Sequence, residues 1–558
     1  MLDRIARYYN TVKYLRPVQL VGQLQKNRVL RTVPALPALP HLPVARLLTL
    51  ISSLDTDAPY LARFDVKQLM NNEVTLLNET HLLNLSTWRM DASPLWRFNL
   101  HYFEFAIALS AKFSQTGENC YYNKFKELVT SWVNVNPVGR GDAWHPYTIS
   151  MRLPNWLICF DLFGEAFEAD DAFRETVYQS IYAQYRILIK RKERWQLGNH
   201  YFENLKTILL CSLLFDELKI FNEHIKLFLH EVEEEILPDG VHFELSLMYH
   251  KVILEDILRV TFWLQQAGKL QWKELVPTLQ SMINAAASLE NGMRKTPLFN
   301  DSGDSVAKDC SALIKAANTL FDIKPALSDE FPNSGYYKLY DGNIALMMDA
   351  GAIGPSYMAG HGHCDCLSFE LSVNDKPLFV NSGTYQYQGE YRKYFRSTKA
   401  HNTLTVGERE QSECWGEHRV ARRISSVQAE KNGQIITGSY NSYSSSIHTR
   451  SLSLTDRILT VLDSVNTSPS QVVHSFLHIA PGFYVQIREH VIAVLFENIP
   501  ICEIYAVESI VKLHTSGTLC CYSQRFGELL QGCCLEFSWQ ADSNQHGYRI
   551  HFGKETKK

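Results

Sequence analysis

The spacing of hydrophobic residues divides the chain into a helical half and a strand-rich half. From about residue 91 to residue 320, apolar residues recur at intervals of three and four, as in NKFKELVTSWVNV, ENLKTILLCSLLFDEL and FELSLMYHKVILEDILRVTFWL. Short turns that contain Gly, Pro or Asp, such as LPDGVH, separate these segments. The pattern predicts antiparallel helical hairpins, packed as a bundle, a solenoid or a toroid.

The pattern changes near Ser334. From there on, short runs of alternating β-branched and aromatic residues dominate, such as LSFELSV, GQIITGSYN and RSLSLTDRILTVLDSV. Polar turns such as VNDKP and EKNGQ separate them. A period of two predicts strands, so the second half is predicted to be an antiparallel β-sandwich, with the boundary between residues 320 and 340.

The N-terminal segment differs from both halves. A short basic helix is predicted first, followed by PALPALPHLP, from Pro34 to Pro43, which is too rich in proline to be helical and predicts an extended linker. The sequence therefore predicts three parts: the helix and linker at 1–45, a helical domain at 46–330 and a β-sandwich domain at 331–558.

Composition excludes several classes of protein. The 558 residues carry a net charge of −4, which predicts neither nucleic-acid binding nor membrane adhesion. We find no apolar run long enough to cross a membrane, and charges interrupt the first twenty residues where a signal peptide would be apolar. The expected location is the cytoplasm, with the periplasm as the alternative. The 12 cysteines include vicinal pairs and lie in apolar runs, which favours free thiols over a disulfide framework.

Two helical segments concentrate polar side chains. GNHYFEN places Asn199, His200, Glu203 and Asn204 within about one and a half turns at the start of an apolar helix. Asn199 is either a helix cap or part of a site. The second segment, LPDGVHFELSLMYH, opens with a turn and continues as a helix that bears Tyr249.

Aromatic and basic residues alternate in two further helical segments, WRFNLHYFEF and WHPYTISMRLPNW. Arginine pairs with carboxylates through two hydrogen bonds, and aromatic rings stack on sugar rings. These segments therefore indicate a groove for an anionic sugar; the alternative is an aromatic core with surface arginines. The candidate substrate-binding residues are Arg97, His101, Trp144, Tyr147 and Arg152.

Three motifs follow one another in the β half: HGHCDCLSF from His361, VNSGTY from Val380, and RSTKAHNT from Arg396. In this order they resemble the heparinase II/III family of polysaccharide lyases, which includes related alginate lyases, and GNHYFEN with the Tyr249 helix resembles the same family. The resemblance implies an (α/α) toroid followed by a β-sandwich, with the active cleft between them. It also implies cleavage of a uronic-acid-containing polysaccharide or oligosaccharide by β-elimination.

The resemblance implies roles for particular residues. Asn199 and His200 would neutralise the substrate carboxylate, and Tyr249 would be the acid, or both acid and base. His361 would be the base or a further contact to the carboxylate. A second tyrosine is expected from the loop 385–394, and Glu203 is expected to bind substrate. The tyrosines of that loop are Tyr385, Tyr387, Tyr391 and Tyr394, of which Tyr391 and Tyr394 are taken as candidate substrate-binding residues.

Similar proteins hold a metal, usually zinc, in the β domain. The matching positions here are His363, Asn381 and His401. Asn381 departs from the aspartate of the family, and an amide oxygen is a poor zinc ligand. Either Asp365 replaces it, or the site contains no metal and is held by hydrogen bonds.

Two other functions fit the same residues. A glycoside hydrolase would need two carboxylates about 5–10 Å apart. The second alternative is a glycan-binding or assembly protein that holds a polysaccharide chain without cutting it. For a lyase without an export signal, the expected substrates are capsule or surface-polysaccharide intermediates inside a bacterium, or imported oligosaccharides. The candidate carboxylates for a hydrolase are Glu203, Glu244, Asp301 and Asp304.

Overall fold

The structure is a computed structural model that describes residues 2–43, 47–293, 295–304, 306–467, 470–489, 491–542 and 544–553. The predicted boundary between residues 45 and 46 lies outside the described residues. The helices are α1 (Leu2–Val12), α2 (Pro17–Arg31), α3 (Ser52–Asp55), α4 (Ala58–Leu61), α5 (Val66–Met70), α6 (Pro94–Tyr102), α7 (Ala106–Thr116), α8 (Asn119–Val135), α9 (Pro146–Phe163), α10 (Glu165–Glu168), α11 (Asp171–Arg191), α12 (Gly198–Leu214), α13 (Leu218–Glu235), α14 (Leu247–Gln266), α15 (Trp272–Glu290), α16 (Cys310–Phe321) and α17 (Glu390–Phe395).

The helical domain consists of hairpins with an inner and an outer helix. Helix α12 packs against α9, α13 and α14, and 15 of its 17 residues are buried, which identifies it as an inner helix. Helix α13 buries only 7 of 18 residues, along one face, which identifies it as an outer helix. The helix-then-strand architecture expected from the sequence is confirmed, because the last long helix ends at Phe321 and the β domain begins at Glu330.

Two large antiparallel sheets form the β domain. One sheet has the order β11-β12-β13-β14-β23-β18-β17-β16; the other has the order β19-β22-β15-β7-β6-β5-β4-β3, with β8 paired to β15. The strands are β1 (Glu73–Leu76), β2 (Glu79–Leu82), β3 (Glu330–Phe331), β4 (Tyr336–Asp341), β5 (Ile344–Asp349), β6 (Ser368–Val373), β7 (Lys376–Phe379), β8 (Leu404–Val406), β9 (Cys414–Trp415), β10 (Arg419–Val420), β11 (Ser425–Asn432), β12 (Ile435–Asn441), β13 (Ile447–Thr455), β14 (Ile458–Asn466), β15 (Val472–Ile479), β16 (Phe483–Arg488), β17 (Val491–Phe496), β18 (Ile499–Val507), β19 (Ile510–His514), β20 (Cys521–Tyr522), β21 (Leu530–Gln531), β22 (Cys533–Gln540) and β23 (His546–Phe552).

A buried arginine ties one of the two sheets to the segments that carry the site. Arg450 on β13 makes two hydrogen bonds to Asp463 on β14, at 2.7 and 3.0 Å. Its guanidinium also donates to the carbonyl oxygens of Leu367 and Asn402. Both carbonyls lie close in sequence to predicted metal ligands, so the core of the sandwich fixes the position of those segments.

Two features differ from the sequence-based expectation. The N-terminal segment contains two helices rather than one, because Pro17 takes the first position of α2 and ends the continuity with α1. A hairpin of β1 and β2 lies within the helical half. In the part of the chain that the structure describes, no helix is long and apolar enough to cross a bilayer.

Candidate active site

Two tyrosines meet in the cleft between the domains. Tyr249 lies in the first turn of α14, where its backbone N–H donates to the capping hydroxyl of Ser246. Its own hydroxyl is 3.0 Å from the hydroxyl of Tyr387, in the loop between β7 and α17. Of the tyrosines in that loop, the structure therefore brings Tyr387 to Tyr249.

The other tyrosines of the loop lie elsewhere. Tyr385 packs edge-on against Tyr391 at 5.2 Å, and Tyr391 is exposed. The Tyr394 hydroxyl is buried on the side of Cys520 and Cys534, where burial raises its pKa well above the ordinary value. The structure therefore does not bring Tyr391 or Tyr394, both predicted to bind substrate, to Tyr249.

His361 completes the group from the β domain. Its ring centroid lies 4.3 Å from that of Tyr249 and 6.1 Å from that of Tyr387. His418 and Phe526 contact the other sides of Tyr387, at 5.6 and 5.0 Å. The three residue types expected at the active site, one tyrosine from each domain and one histidine, thus lie in contact with one another.

Asp301 fixes the orientation of His361. Its carboxylate is fully buried and accepts a hydrogen bond from His361 Nδ1 at 2.8 Å and another from His363 Nε2 at 2.9 Å. Arg392 binds both oxygens of the same carboxylate. Although burial opposes ionisation, Arg392 and the two histidines hold the pKa of Asp301 well below its ordinary value.

A second carboxylate faces the same histidine. Glu244 is buried, with Oε2 3.8 Å from His361 Nε2. Burial raises the pKa of Glu244, and His361 and His200 oppose that effect. Burial lowers the pKa of His361, but Glu244 and Asp301 outweigh it and raise the value above the ordinary one. The two carboxylates therefore stabilise the cationic form of this imidazole.

The two phenols differ in their electrostatic surroundings. Burial raises the pKa of Tyr249 well above its ordinary value, and Tyr387, Asp301 and Glu244 raise it further. Burial and Asp301 also raise the pKa of Tyr387, but its hydrogen bond with Tyr249 and the charge of Arg392 act in the opposite direction. Of the pair, Tyr387 is therefore the easier to ionise, and Tyr249 keeps its proton more firmly.

Asn199 and His200 begin helix α12. The cap residue of that helix is Leu197, with no side-chain capping bond, so Asn199 is not a cap. Gly198 has a φ of +55°, and a Cβ there would lie 2.1 Å from Met358 Cε and 3.1 Å from Glu244 Oε1. The glycine therefore lets the start of the helix approach Glu244 closely, which brings Asn199 and His200 to the cleft.

His200 is held by two neighbours. Its Nδ1 lies 3.1 Å from Glu193 Oε1, and its ring lies 4.2 Å from that of Tyr147. Asn204, the last polar residue of GNHYFEN, donates to Glu193 Oε2 at 3.3 Å. Tyr147, predicted to bind substrate, is therefore placed beside His200, one of the two residues predicted to neutralise the substrate carboxylate.

Other predicted substrate-binding residues of the helical half are buried or bound to other side chains of the protein. Arg152 is fully buried and its guanidinium donates to Gln184 and to the carbonyls of His101 and Ala143. Its charge and donors are therefore used within the protein. His101 and Trp144 are buried too, Arg97 pairs with Asp142 at 2.8 Å, and Glu203 pairs with Lys206 at 2.6 Å.

The predicted metal site brings together the two expected histidines and Asp365, the alternative to Asn381. Ligand atoms of His363, Asp365 and His401 all lie within 4.8 Å of one another, and all three residues are buried. The Asn381 amide oxygen accepts the Gly383 N–H at 3.0 Å. The Asn381 side chain also lies beside Asp365, where it opposes the burial that raises the pKa of that carboxyl group.

These residues fit a divalent cation. Burial lowers the pKa of His363 and of His401, which keeps both rings neutral as metal ligands require. Nδ1 of His363 is buried and has no hydrogen-bond partner among the described residues, while Nε2 is held by Asp301. A carboxylate behind a ligating histidine is the usual outer partner of a zinc site.

Sequence reasoning missed the role of Asp301. It lies in FNDSGD between α15 and α16, within the helical half of the sequence, where the pattern suggests only a hydrolase carboxylate. No sequence motif pointed to Arg392, which binds the Asp301 carboxylate. The loop reaches the β domain because the Asp301 N–H donates to the His361 carbonyl at 3.1 Å and Asn300 Oδ1 accepts the His363 N–H at 2.9 Å.

Substitution of Asp301 tests its importance to the site. We expect Asp301→Asn to lower the free energy of unfolding by about 3–5 kcal/mol, because it leaves the buried charge of Arg392 uncompensated. Asp304→Asn is the matched control, since Asp304 lies in the same loop and accepts a single neutral hydrogen bond from Gln524. Urea unfolding followed by tryptophan fluorescence measures both. Equal, small effects of the two substitutions would contradict this role.

Comparison with known proteins agrees with the geometry. Residues 60–328 match the family description "Heparinase II/III N-terminus", and residues 323–519 match "Heparinase II/III-like, C-terminal". Heparin-sulfate lyase from Pedobacter heparinus is 23% identical over 58% of this chain and 54% of its own length. The relative of that name from Bacteroides stercoris is 23% identical over 64% of this chain and 60% of its own length.

Solved structures show the same fold. A crystal structure of heparinase III superposes with a TM-score of 0.69 at 16% identity, over 96% of this chain and 91% of that one. A heparan sulfate lyase from Pedobacter heparinus superposes with a TM-score of 0.59 at 16% identity, over 97% of this chain and 88% of that one. With both domain descriptions matched in order and the fold shared, the chain belongs to the heparinase II/III family.

Proposed function

We propose that the protein cleaves a uronic-acid-containing acidic polysaccharide by β-elimination. The observation that carries the proposal is the hydroxyl pair of Tyr249 and Tyr387, 3.0 Å apart and packed against His361. A base and an acid are the two groups that this reaction needs. The matched curated relatives are heparin-sulfate lyases, which supports a lyase, although the match spans little more than half of their length.

The substrate carboxylate must be neutralised before the neighbouring C5 proton becomes acidic. We assign this to the Asn199 amide and the His200 imidazole at the start of α12, with His361 on the other side of Glu244. Donors aimed at a carboxylate stabilise the enolate-like charge that develops in the transition state. Tyr147, stacked on His200, would border this subsite.

The tyrosine pair would move the proton. Tyr387, as phenolate, takes the proton from C5; the C5–H electrons form the C4–C5 double bond and the C4–O4 bond breaks. Tyr249 then donates its proton to O4. Transfer from Tyr387 back to Tyr249 across their hydrogen bond restores the starting state, so one proton passes from C5 to O4 in each cycle. The asymmetry of their pKa shifts supports this assignment.

Phenylalanine substitutions test the pair. We expect Tyr249→Phe and Tyr387→Phe each to lower kcat by about 10²- to 10⁴-fold, because each removes a proton-transfer group, with binding of the polymer largely retained. The product's conjugated double bond gives an ultraviolet absorbance. Alginate, heparan sulfate, hyaluronan, chondroitin and bacterial capsule preparations form the substrate panel.

Control variants and a second readout separate β-elimination by this tyrosine pair from the use of another tyrosine, from hydrolysis and from glycan binding. Tyr484→Phe removes an exposed hydroxyl from β16 and should leave the rate unchanged. Loss of activity in Tyr385→Phe but not in Tyr387→Phe would mean that the wrong tyrosine is assigned. New reducing ends without the absorbance band would mean hydrolysis. Binding of a polymer with neither signal would favour the glycan-binding reading.

We also propose that His363, Asp365 and His401 hold a structural zinc ion. The support is the closeness of their ligand atoms and the open Nδ1 of His363. A buried carboxylate beside two neutral imidazoles lacks a compensating charge, which a divalent cation supplies. The ion would tie the H-x-H segment to the A-H-N-T segment.

Metal analysis tests the ligand set without reference to activity. We expect about one zinc per purified chain, and loss of the metal in Asp365→Asn and in His401→Ala. Asn381→Ala is the matched control and should retain zinc, because Asn381 is not a ligand in this set. If Asn381→Ala lost the metal and Asp365→Asn kept it, the family position would be the ligand after all.

We propose that the protein works inside the cell, on capsule or surface-polysaccharide intermediates. The support is its free thiols: Cys364 and Cys414 lie with their sulfurs 3.7 Å apart and unbonded, as expected in a reducing compartment. Fractionation of the native host tests this, with recovery in the cytoplasmic fraction as the expected result. Recovery from the periplasm would contradict it.

A further inference from the structure

Helix α1 turns polar side chains towards the protein. Arg7 Nε bonds Glu413 at 2.7 Å, and Trp415 Nε1 donates to the Thr11 hydroxyl at 3.0 Å. Asp3 pairs with Arg422 at 3.1 Å. These contacts join the helix to the hairpin of β9 and β10 and to the residues on either side of it, so α1 is held in a fixed orientation on the β domain.

A second side of α1 is apolar and largely exposed, and within it the Tyr8 ring packs edge-on against Trp415 at 5.1 Å. Ile5, Tyr8, Tyr9 and Val12 follow the i, i+3, i+4, i+7 spacing of a single helix face, and all four are exposed, Tyr9 by 67%. Together with Lys13 they line a shallow open groove. A surface helix usually buries such a face, so its exposure indicates a binding surface.

Helix α2 repeats the arrangement. Leu20, Val21 and Leu24 share one face by the same spacing and are exposed, Leu24 by 89%. The helix is held from other sides, where Gln19 donates to the Tyr357 carbonyl at 3.2 Å and Arg16 pairs with Glu234. Two consecutive, anchored helices therefore each present an apolar row to solvent.

Charge around these rows is strongly positive. Residues 2–31 contain a single acidic residue, Asp3, against seven basic ones. Two of the seven, Arg7 and Arg16, are paired with carboxylates. Within the described chain, no carboxylate lies within ion-pair distance of the remaining five. These are Arg4, Lys13, Lys26, Arg28 and Arg31. The chain's net charge of −4 conceals this local concentration.

We propose that α1 and α2 dock on a membrane surface of anionic phospholipid. Apolar rows flanked by free cations fit such a surface, because the apolar side chains enter the boundary between headgroups and acyl chains while Lys and Arg bind lipid phosphates. Each basic residue near such a surface contributes about 1 kcal/mol. A second copy of the chain fits less well, because two-fold pairing of α1 would bring Arg4 and Lys13 against the same cations of the other copy.

Vesicle sedimentation of the full chain tests the proposal. We expect sedimentation with vesicles of phosphatidylglycerol and phosphatidylcholine in equal parts, little with phosphatidylcholine alone, and weaker binding at high salt. Ile5→Ser/Tyr9→Ser/Leu24→Ser should lower the bound fraction by about tenfold or more, because it removes three apolar contacts. Leu270→Ser/Ile499→Ser/Ile510→Ser is the matched control, since these residues are exposed outside the two helices.

A charge-reversed variant guards against misfolding of the serine variant. Arg4→Glu/Lys13→Glu should also lose binding, and both of its residues are exposed. Equal binding by the serine variant and its control, or no preference for anionic vesicles, would overturn the proposal. So would a dimer in light scattering that the serine variant dissociates while vesicles bind nothing. Polysaccharide cleavage plays no part in these measurements, so they stand apart from the proposed lyase activity.

Discussion

The buried carboxylate of Asp301 is the interaction on which the site depends. One oxygen accepts from His361 Nδ1 and the other from His363 Nε2, while Arg392 binds both. An ionised carboxylate is costly to bury alone, so the arrangement is stable only with all of these partners in place. The orientation of the cleft histidine is therefore coupled to the loop that carries Arg392 and Tyr387.

Periodicity was enough to predict the architecture, because inner and outer helices and paired strands each leave a regular pattern of apolar residues. The order of the family motifs was enough to predict that Tyr249, His361 and the start of α12 belong to one site. The sequence could not select Tyr387 among its neighbours, since four tyrosines within ten residues differ only in where the loop turns. Nor could it show that Asp301, sixty residues before His361, crosses to the β domain.

Residue type alone could not place Arg152 of the second aromatic segment. An arginine beside a tryptophan can line a sugar-binding groove. It can equally be buried in the core, where its guanidinium donates hydrogen bonds to backbone carbonyls. Arg152 is a buried arginine of this type. Its guanidinium lies 4.1 Å from the centre of the Trp132 ring and donates hydrogen bonds to Gln184 and to two backbone carbonyls. The two cases are distinguished by burial, which depends on the packing of helices distant in sequence.

The alternation of His361 and His363 now has a physical explanation. Both rings reach the same carboxylate of Asp301, from opposite oxygens, and each keeps its other nitrogen for a separate contact. Nε2 of His361 faces Glu244 in the cleft, and Nδ1 of His363 is left without a partner among the described residues, on a ring that lies beside Asp365 and His401. A cation held at Nδ1 of His363 would thus be joined to the cleft histidine through a single carboxylate. Replacement of the family aspartate by Asn381 leaves this connection intact, because the connection runs through Asp301 and Asp365, neither of which depends on Asn381 as a ligand.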